Sequence, residues 1–229
     1  MSGDNYFLLA SLPALGELGS PPPIKPAYLL ERVADAGGNR SLLEAVFLSD
    51  DLLQRQAFLS GEKQEAEPAV LTLPQVRNEE PLPEYLLSAS SDEMGRESTT
   101  DALWDGYYRY VAALADRMKS TFLNEWVGFE VSLRNALVNA RAKALGLDPH
   151  PFMVAVDLGG DLGRFTGILS EWAAAPDPLA GLRVLDQARW EWLWANDDWF
   201  SFGDDEIVAY GAKLMLLQRW NRIGGKTAS

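Results

Sequence analysis

An all-α fold is predicted from three observations. Apolar residues recur at spacings of three and four over the long stretches 102–145, 178–195 and 204–223. Few stretches alternate apolar and polar residues as half-buried strands do. No proline interrupts 102–145, so nothing in that span removes a helical hydrogen bond. The expected architecture is an elongated helical bundle around one very long helix, straight or bent, and a minor N-terminal strand is compatible with it.

Taken in order, Tyr6 to Leu12 is a short apolar run that reads equally as strand or helix. Pro21, Pro22, Pro23 and Pro26 then impose an extended connection. A helix over 27–36 should stop at Gly37-Gly38, which accept the left-handed conformation of a helix end. Ser41 with Glu44 has capping-box spacing, and Ser49 before Asp50-Asp51 offers a second N-cap, with helix continuing to about Leu59. Between 60 and 101, Pro68, Pro74, Pro81 and Pro83 break every apolar cluster, leaving room only for a short helix from Glu84 to Ser88.

The stretch 102–145 carries Trp104, Tyr107, Val111, Leu114, Met118, Phe122, Trp126, Phe129, Leu133 and Leu137 on one stripe. As one continuous helix it would span about 65 Å. It either bends near Gly128 or Ser120-Thr121 or stands as an elongated arm, and in each case it needs partner helices. Residues 152–162 form an ambiguous apolar run. Phe165 to Ala174 can be helical, and Asp177-Pro178 is an N-cap followed by proline at the first helical position. A turn over 196–202 leads to the last helix, striped by Ile207, Tyr210, Leu214 and Leu217 and closed by Gly224-Gly225. Three parts result: an N-terminal helical part (1–60), a linker-like excursion (61–100) and a long-helix bundle (101–229).

Composition excludes several classes. The 229-residue chain has no cysteine, which removes disulfides, thiolate nucleophiles and cysteine-held metal centres. Its net charge of −13 opposes nucleic acid, whose phosphates need a basic footprint, and opposes an anionic bilayer. Part of the excess lies in Glu62, Glu65, Glu67, Glu79, Glu80, Glu84, Asp92, Glu93 and Glu97. Solubility accounts for such a charge, and a basic protein surface or a cation would complement it. No apolar run approaches a membrane span. The N-terminal apolar stretch has Asp4 where a signal peptide carries basic residues, so the expected location is the cytoplasm.

Each motif with a chemical meaning has a plainer one. Gly159-Gly160-Asp161-Leu162-Gly163 is glycine-rich like a phosphate loop but lacks its lysine and Ser/Thr, and reads as a flexible turn. Asp197-Asp198 and Asp204-Asp205-Glu206 would suit a metal if they converged on a cavity. They also sit where helix N-termini are expected, and capping is the preferred explanation. His150, the only histidine, lies in a proline-framed loop with no triad or paired-ligand spacing around it. Glu130, Arg134 and Arg189 flank the buried stripes and should pair within or between helices. Trp190, Trp192, Trp194 and Trp199 are spaced too closely to face one way, so at least one should be exposed or at an interface. No catalytic, cofactor-binding or metal-ligating residues are assigned.

Three blocks carry a family resemblance: Tyr6 to Pro13, Trp104 to Arg141 and Asp186 to Ile223. Within the last, Glu206, Tyr210, Lys213-Leu214 and Arg219-Trp220 form the best local match. The chain resembles small bacterial proteins related to the C-subunit of the V-type (A/V-type) ATPase. That resemblance implies a non-catalytic central-stalk protein, a socket joining the membrane rotor ring to the rotating shaft. Its implied partners are other V-type ATPase subunits, and its implied place is peripheral, at the inner face of the membrane. The chain is shorter than typical full-length members of that family and lacks glutamates expected in the final helix. The alternatives are a soluble acidic helical enzyme with a carboxylate-bound metal, which metal-dependent activity would reveal, and a free-standing helical adaptor.

Overall fold

The computed structural model describes residues 3–87 and 99–224. Ser88, Asp92, Glu93, Glu97 and Gly225, named above, lie outside them. The described residues form α-helices and short 3-10 turns with no strand, so the chain is all-α. The helices are α1 (Gly3–Ser11), α2 (Pro26–Asp35), α3 (Arg40–Leu59), α4 (Leu73–Val76), α5 (Thr99–Met118), α6 (Thr121–Leu145), α7 (Thr166–Ala173), α8 (Pro178–Ala195) and α9 (Asp204–Gly224). The described residues divide into two compact units, one within 1–81 and 189–229 and the other within 82–188, with the second boundary inside α8.

In the first unit α2, α3 and α9 pack on one another. Phe47, Leu43 and Leu52 of α3 and Leu214, Leu216 and Leu217 of α9 are fully buried there. Gly211 permits the close approach of α3 and α9, because a Cβ at this position would run into Leu43 Cδ2. Asp50, buried on α3, accepts hydrogen bonds from Arg222 (2.5 Å), Gln54 (3.0 Å) and Arg219 (3.4 Å). The neighbouring Asp51 accepts the backbone N–H groups of Ala69, Val70 and Leu71 at 2.7–2.9 Å. The proline-broken stretch is thereby fastened to α3. It also holds α4, which opens with a Thr72/Gln75 capping box.

The N-terminal run, open between strand and helix, is helical; Leu8 is its buried apolar contact, while Tyr6 and Phe7 face solvent. Two capping expectations fail. The cap of α3 is Asn39, whose side chain accepts the Ser41 N–H at 3.2 Å, while Glu44 pairs with Arg40 at 2.7 Å. Ser49 starts no new helix: its hydroxyl donates to Val46 O, one turn back.

The second unit replaces the very long helix with a hairpin. Lys119 takes the left-handed conformation (φ +56), and Ser120 Oγ accepts the Leu123 N–H at 3.1 Å to begin α6. The break falls next to the expected Ser120-Thr121 bend. The two helices run antiparallel. Asn124 donates to Asp116 at 2.8 Å beside the turn, and Arg134 donates to Asp101 at 3.0 Å further along. Arg134 also lies 5.1 Å from the Trp104 ring centre. Folding back gives each apolar stripe a partner: Trp104, Tyr107, Val111, Phe122, Trp126 and Leu133 are all buried. Met118, at the turn, is exposed.

The ambiguous run 152–162 is a set of 3-10 turns fastened to this hairpin. Asn135 accepts the Val154 N–H at 3.1 Å and donates to Val154 O at 2.8 Å. Asp105 accepts the Ala155 N–H at 2.8 Å and, with Asp157, holds Arg109. The Arg109 guanidinium keeps the Asp157 carboxyl below the ordinary range. Asp177 caps α8 by accepting the Ala180 N–H at 2.8 Å, and the 3-10 turn Glu84–Leu86 replaces the short helix expected to start at Glu84.

Candidate docking surface

The most unusual part of the first unit is the loop 196–203 between α8 and α9. Two of its aromatic residues adopt positive φ, Phe200 at +63° and Phe202 at +53°, a region that bulky residues seldom enter. Glu206, in the first turn of α9, holds them there. Its carboxylate accepts the Phe200 N–H at 3.2 Å, the Phe202 N–H at 2.8 Å and the Ser201 hydroxyl at 3.4 Å. Asp204 accepts the Asn5 side-chain amide at 2.9 Å and fixes α1 beside the same loop.

Beneath the loop lies a buried ion pair. Lys213, in the middle of α9, is 2% exposed and donates to Asp197, whose side chain is 5% exposed. Burial pushes the Asp197 carboxyl up and the Lys213 ammonium down, each opposed by the other's charge. The ammonium also sits 3.9 Å from the Trp194 ring centre and 5.0 Å from that of Trp199. Lys213 thus anchors the turn after α8 through one carboxylate and two indoles. Tyr210, one turn earlier in α9, donates its hydroxyl to Pro13 O at 2.9 Å. Burial pushes its phenol up to about 12, so it remains a donor at neutral pH.

The result is a continuous line of rings. Trp190, Trp194, Trp199, Phe200, Phe202, Tyr6 and Phe7 follow one another at centroid separations between 4.9 and 6.4 Å. Phe200 is 77% exposed, Phe7 75%, and Trp199 and Tyr6 51% each. Scattered exposed apolar residues are ordinary, whereas a connected aromatic patch is a candidate interaction surface. Next to it a cavity of about 230 Å³ lies between the segment after α1 and α9, lined by Leu9, Leu12, Leu15, Trp194, Trp199 and Glu206 among others.

The expected carboxylate caps are therefore only partly caps. Asp204, Asp205 and Glu206 occupy the first turn of α9, where the helix dipole stabilises them. Asp197 follows the end of α8 and is the counter-ion of Lys213, so capping is the wrong role for it. Among the described residues no three His, Cys, Asp or Glu are grouped to hold a metal ion. His150 is exposed in a 3-10 turn. The glycine run is a packed turn: Gly160 donates to Ser132 Oγ and Gly163 to Asp161, both at 2.8 Å. Exposure of Trp194 and Trp199 agrees with the crowding of the four tryptophans. The Lys213 anchor had one sequence signal, a single cation inside the apolar run 211–217. The Glu206 clamp had none, since phenylalanine does not advertise positive φ.

No helix among the described residues is long and apolar enough to cross a membrane. Comparison with protein-family models, curated proteins and solved structures gives no match.

Proposed function

We propose that this chain is a non-catalytic helical coupling protein that joins two other bodies by contact, in the manner implied by its resemblance to the C-subunit of V-type ATPases. The observation that carries this proposal is the exposed aromatic patch of Tyr6, Phe7, Trp199 and Phe200, within which Glu206 holds Phe200 and Phe202 at positive φ. Such strain persists only where the surroundings over-determine it, and it concentrates at functional positions. Tryptophan, tyrosine and phenylalanine are the side chains that dominate interface energies.

On this proposal the partners are the rotating shaft and the membrane rotor ring of a rotary ATPase, and the protein works peripherally at the inner face of the membrane. The paired carboxylates serve construction instead of metal chemistry: Asp197 neutralises Lys213, Asp204 pins α1, and Glu206 shapes the loop. Co-purification tests this directly. A tagged chain expressed in cells containing the rotary ATPase should recover its shaft and ring subunits, and the Trp199→Ser/Phe200→Ser chain should not. Equal recovery by both chains, or recovery of no ATPase subunit by the unaltered chain, would count against it.

A further inference from the structure

We infer that the cavity beside Trp194 and Trp199 receives an arginine side chain from an otherwise apolar segment of a partner protein. The inference rests on the docking role proposed above and adds the chemistry of the partner. Three observations on this face favour arginine.

The first is charge. Between 197 and 213 the chain carries Asp197, Asp198, Asp204, Asp205 and Glu206 against Lys213 alone. Asp198 and Asp204 are exposed beside the rings, and Lys213 is already neutralised by Asp197. A cationic partner is attracted to such a rim. An anionic bilayer is repelled, as is a second copy of a chain bearing −13.

The second is aromatic chemistry. The cavity wall includes the indoles of Trp194 and Trp199, stacked on each other at 5.3 Å. Guanidinium stacks on indole faces while pairing with carboxylates, and it loses less hydration than an ammonium does. Glu206 lines the same cavity, as do Asp197 and Lys213, whose ammonium lies over both indoles, so an entering planar cation meets indole and carboxylate beside a cation that Asp197 has already neutralised.

The third is size. At about 230 Å³ the space exceeds the ~150 Å³ cavity that accepts a benzene, which suits one long side chain. Leu9, Leu12 and Leu15, which also line the cavity, would cover its methylenes. The exposed rings of Phe200 and Phe7 outside the cavity call for apolar neighbours of that arginine on the partner. An anchor in a pocket, ringed by contacts that exclude water, is the usual arrangement of an interface hot spot.

The test uses the full chain and fluorescein-labelled peptides with three leucines at helical spacing around a central arginine, citrulline, lysine or glutamate. Fluorescence anisotropy should show the arginine peptide binding at least roughly tenfold more tightly than the citrulline or glutamate peptide. Rising salt should weaken it, as should Trp199→Ser or Asp198→Asn, with circular dichroism confirming that each variant remains helical. The inference is overturned if citrulline binds as tightly as arginine, or if Trp199→Ser leaves affinity unchanged. It is equally overturned if the face binds phosphatidylcholine or phosphatidylglycerol vesicles or self-associates while no peptide binds. Loss of ATPase co-purification in Trp199→Ser/Phe200→Ser without any arginine preference would leave the coupling role standing and remove only this partner chemistry. Arginine preference without ATPase association would do the reverse.

Discussion

Phe202 donates its backbone N–H to Glu206 Oε2 at 2.8 Å while holding φ at +53°. The hydrogen bond and the strain belong together: the carboxylate, also accepting from Phe200 and Ser201, offsets a conformation that an unsupported phenylalanine would leave. The exposed rings are thus presented in a fixed arrangement, which lowers the ordering cost of docking.

Glu206→Ala should release the loop. Charge-assisted bonds of this kind contribute about 1.5–3 kcal/mol when buried, and the partial exposure of Glu206 reduces the expected loss to about 1–2 kcal/mol. Hydrogen–deuterium exchange should accelerate at 200–203 and stay slow in the middle of α9. Unchanged exchange at Phe202 would show that the clamp does not hold the loop.

Removing one member of the buried Lys213–Asp197 pair should be costly. Lys213→Met or Asp197→Leu alone strands a buried charge, at about 3–5 kcal/mol. The double variant should lose much less than the sum, because no charge is left behind. Urea denaturation of the two single variants and the double variant measures this coupling. Strict additivity would mean that the two groups do not depend on each other.

Asp51 should make stability depend on pH. Burial pushes its carboxyl up to about 6, partly opposed by the N–H groups of Leu71, Ala69 and Val70, whereas an unfolded Asp titrates near ~3.9. Between those values the folded state holds a proton that the unfolded state has released. Stability contributed by this group is therefore full below about pH 4, falls as pH rises to about 6, and is level above it. A shift of about two units corresponds to ~3 kcal/mol. Asp51→Asn should lack this decline, seen as the difference between the two proteins' urea midpoints across the window. Parallel pH profiles would place the titration elsewhere.

In the second unit, Asn135→Ala should strand both polar groups of Val154, which the Asn135 amide satisfies at 3.1 and 2.8 Å. An unsatisfied buried group costs about 1–3 kcal/mol. The Val154 amide should become the most accelerated in exchange. Protection equal to wild type there would contradict the fastening role.

The helices themselves were legible because their signals are local. The stripe Trp104, Tyr107, Val111, Leu114 fixes a buried face wherever the helix ends, and Asp177-Pro178 announces α8 through its cap. What misled was continuity. A three-four period persists across Lys119-Ser120, and only the left-handed Lys119, with no glycine to mark it, turns the expected long helix into a hairpin. Long-range placements were silent for a related reason: nothing near Asp50 in sequence indicates Arg222, nor near Asp51 the backbone at 69–71. Of the candidate surface, the tryptophan crowding was visible beforehand. The partnership of Asp197 with Lys213 and the grip of Glu206 on its loop depend on where α9 returns, which periodicity does not encode.

In the proposed coupling role the protein would transmit force through this aromatic surface without chemistry of its own. The most direct test of that role is ATP-driven ion uptake measured alongside ATP hydrolysis in inverted membrane vesicles from cells whose only copy is the Trp199→Ser/Phe200→Ser chain. Under the proposed role, hydrolysis should persist while ion uptake collapses. Ion uptake and hydrolysis both matching those of vesicles with the unaltered chain would contradict it.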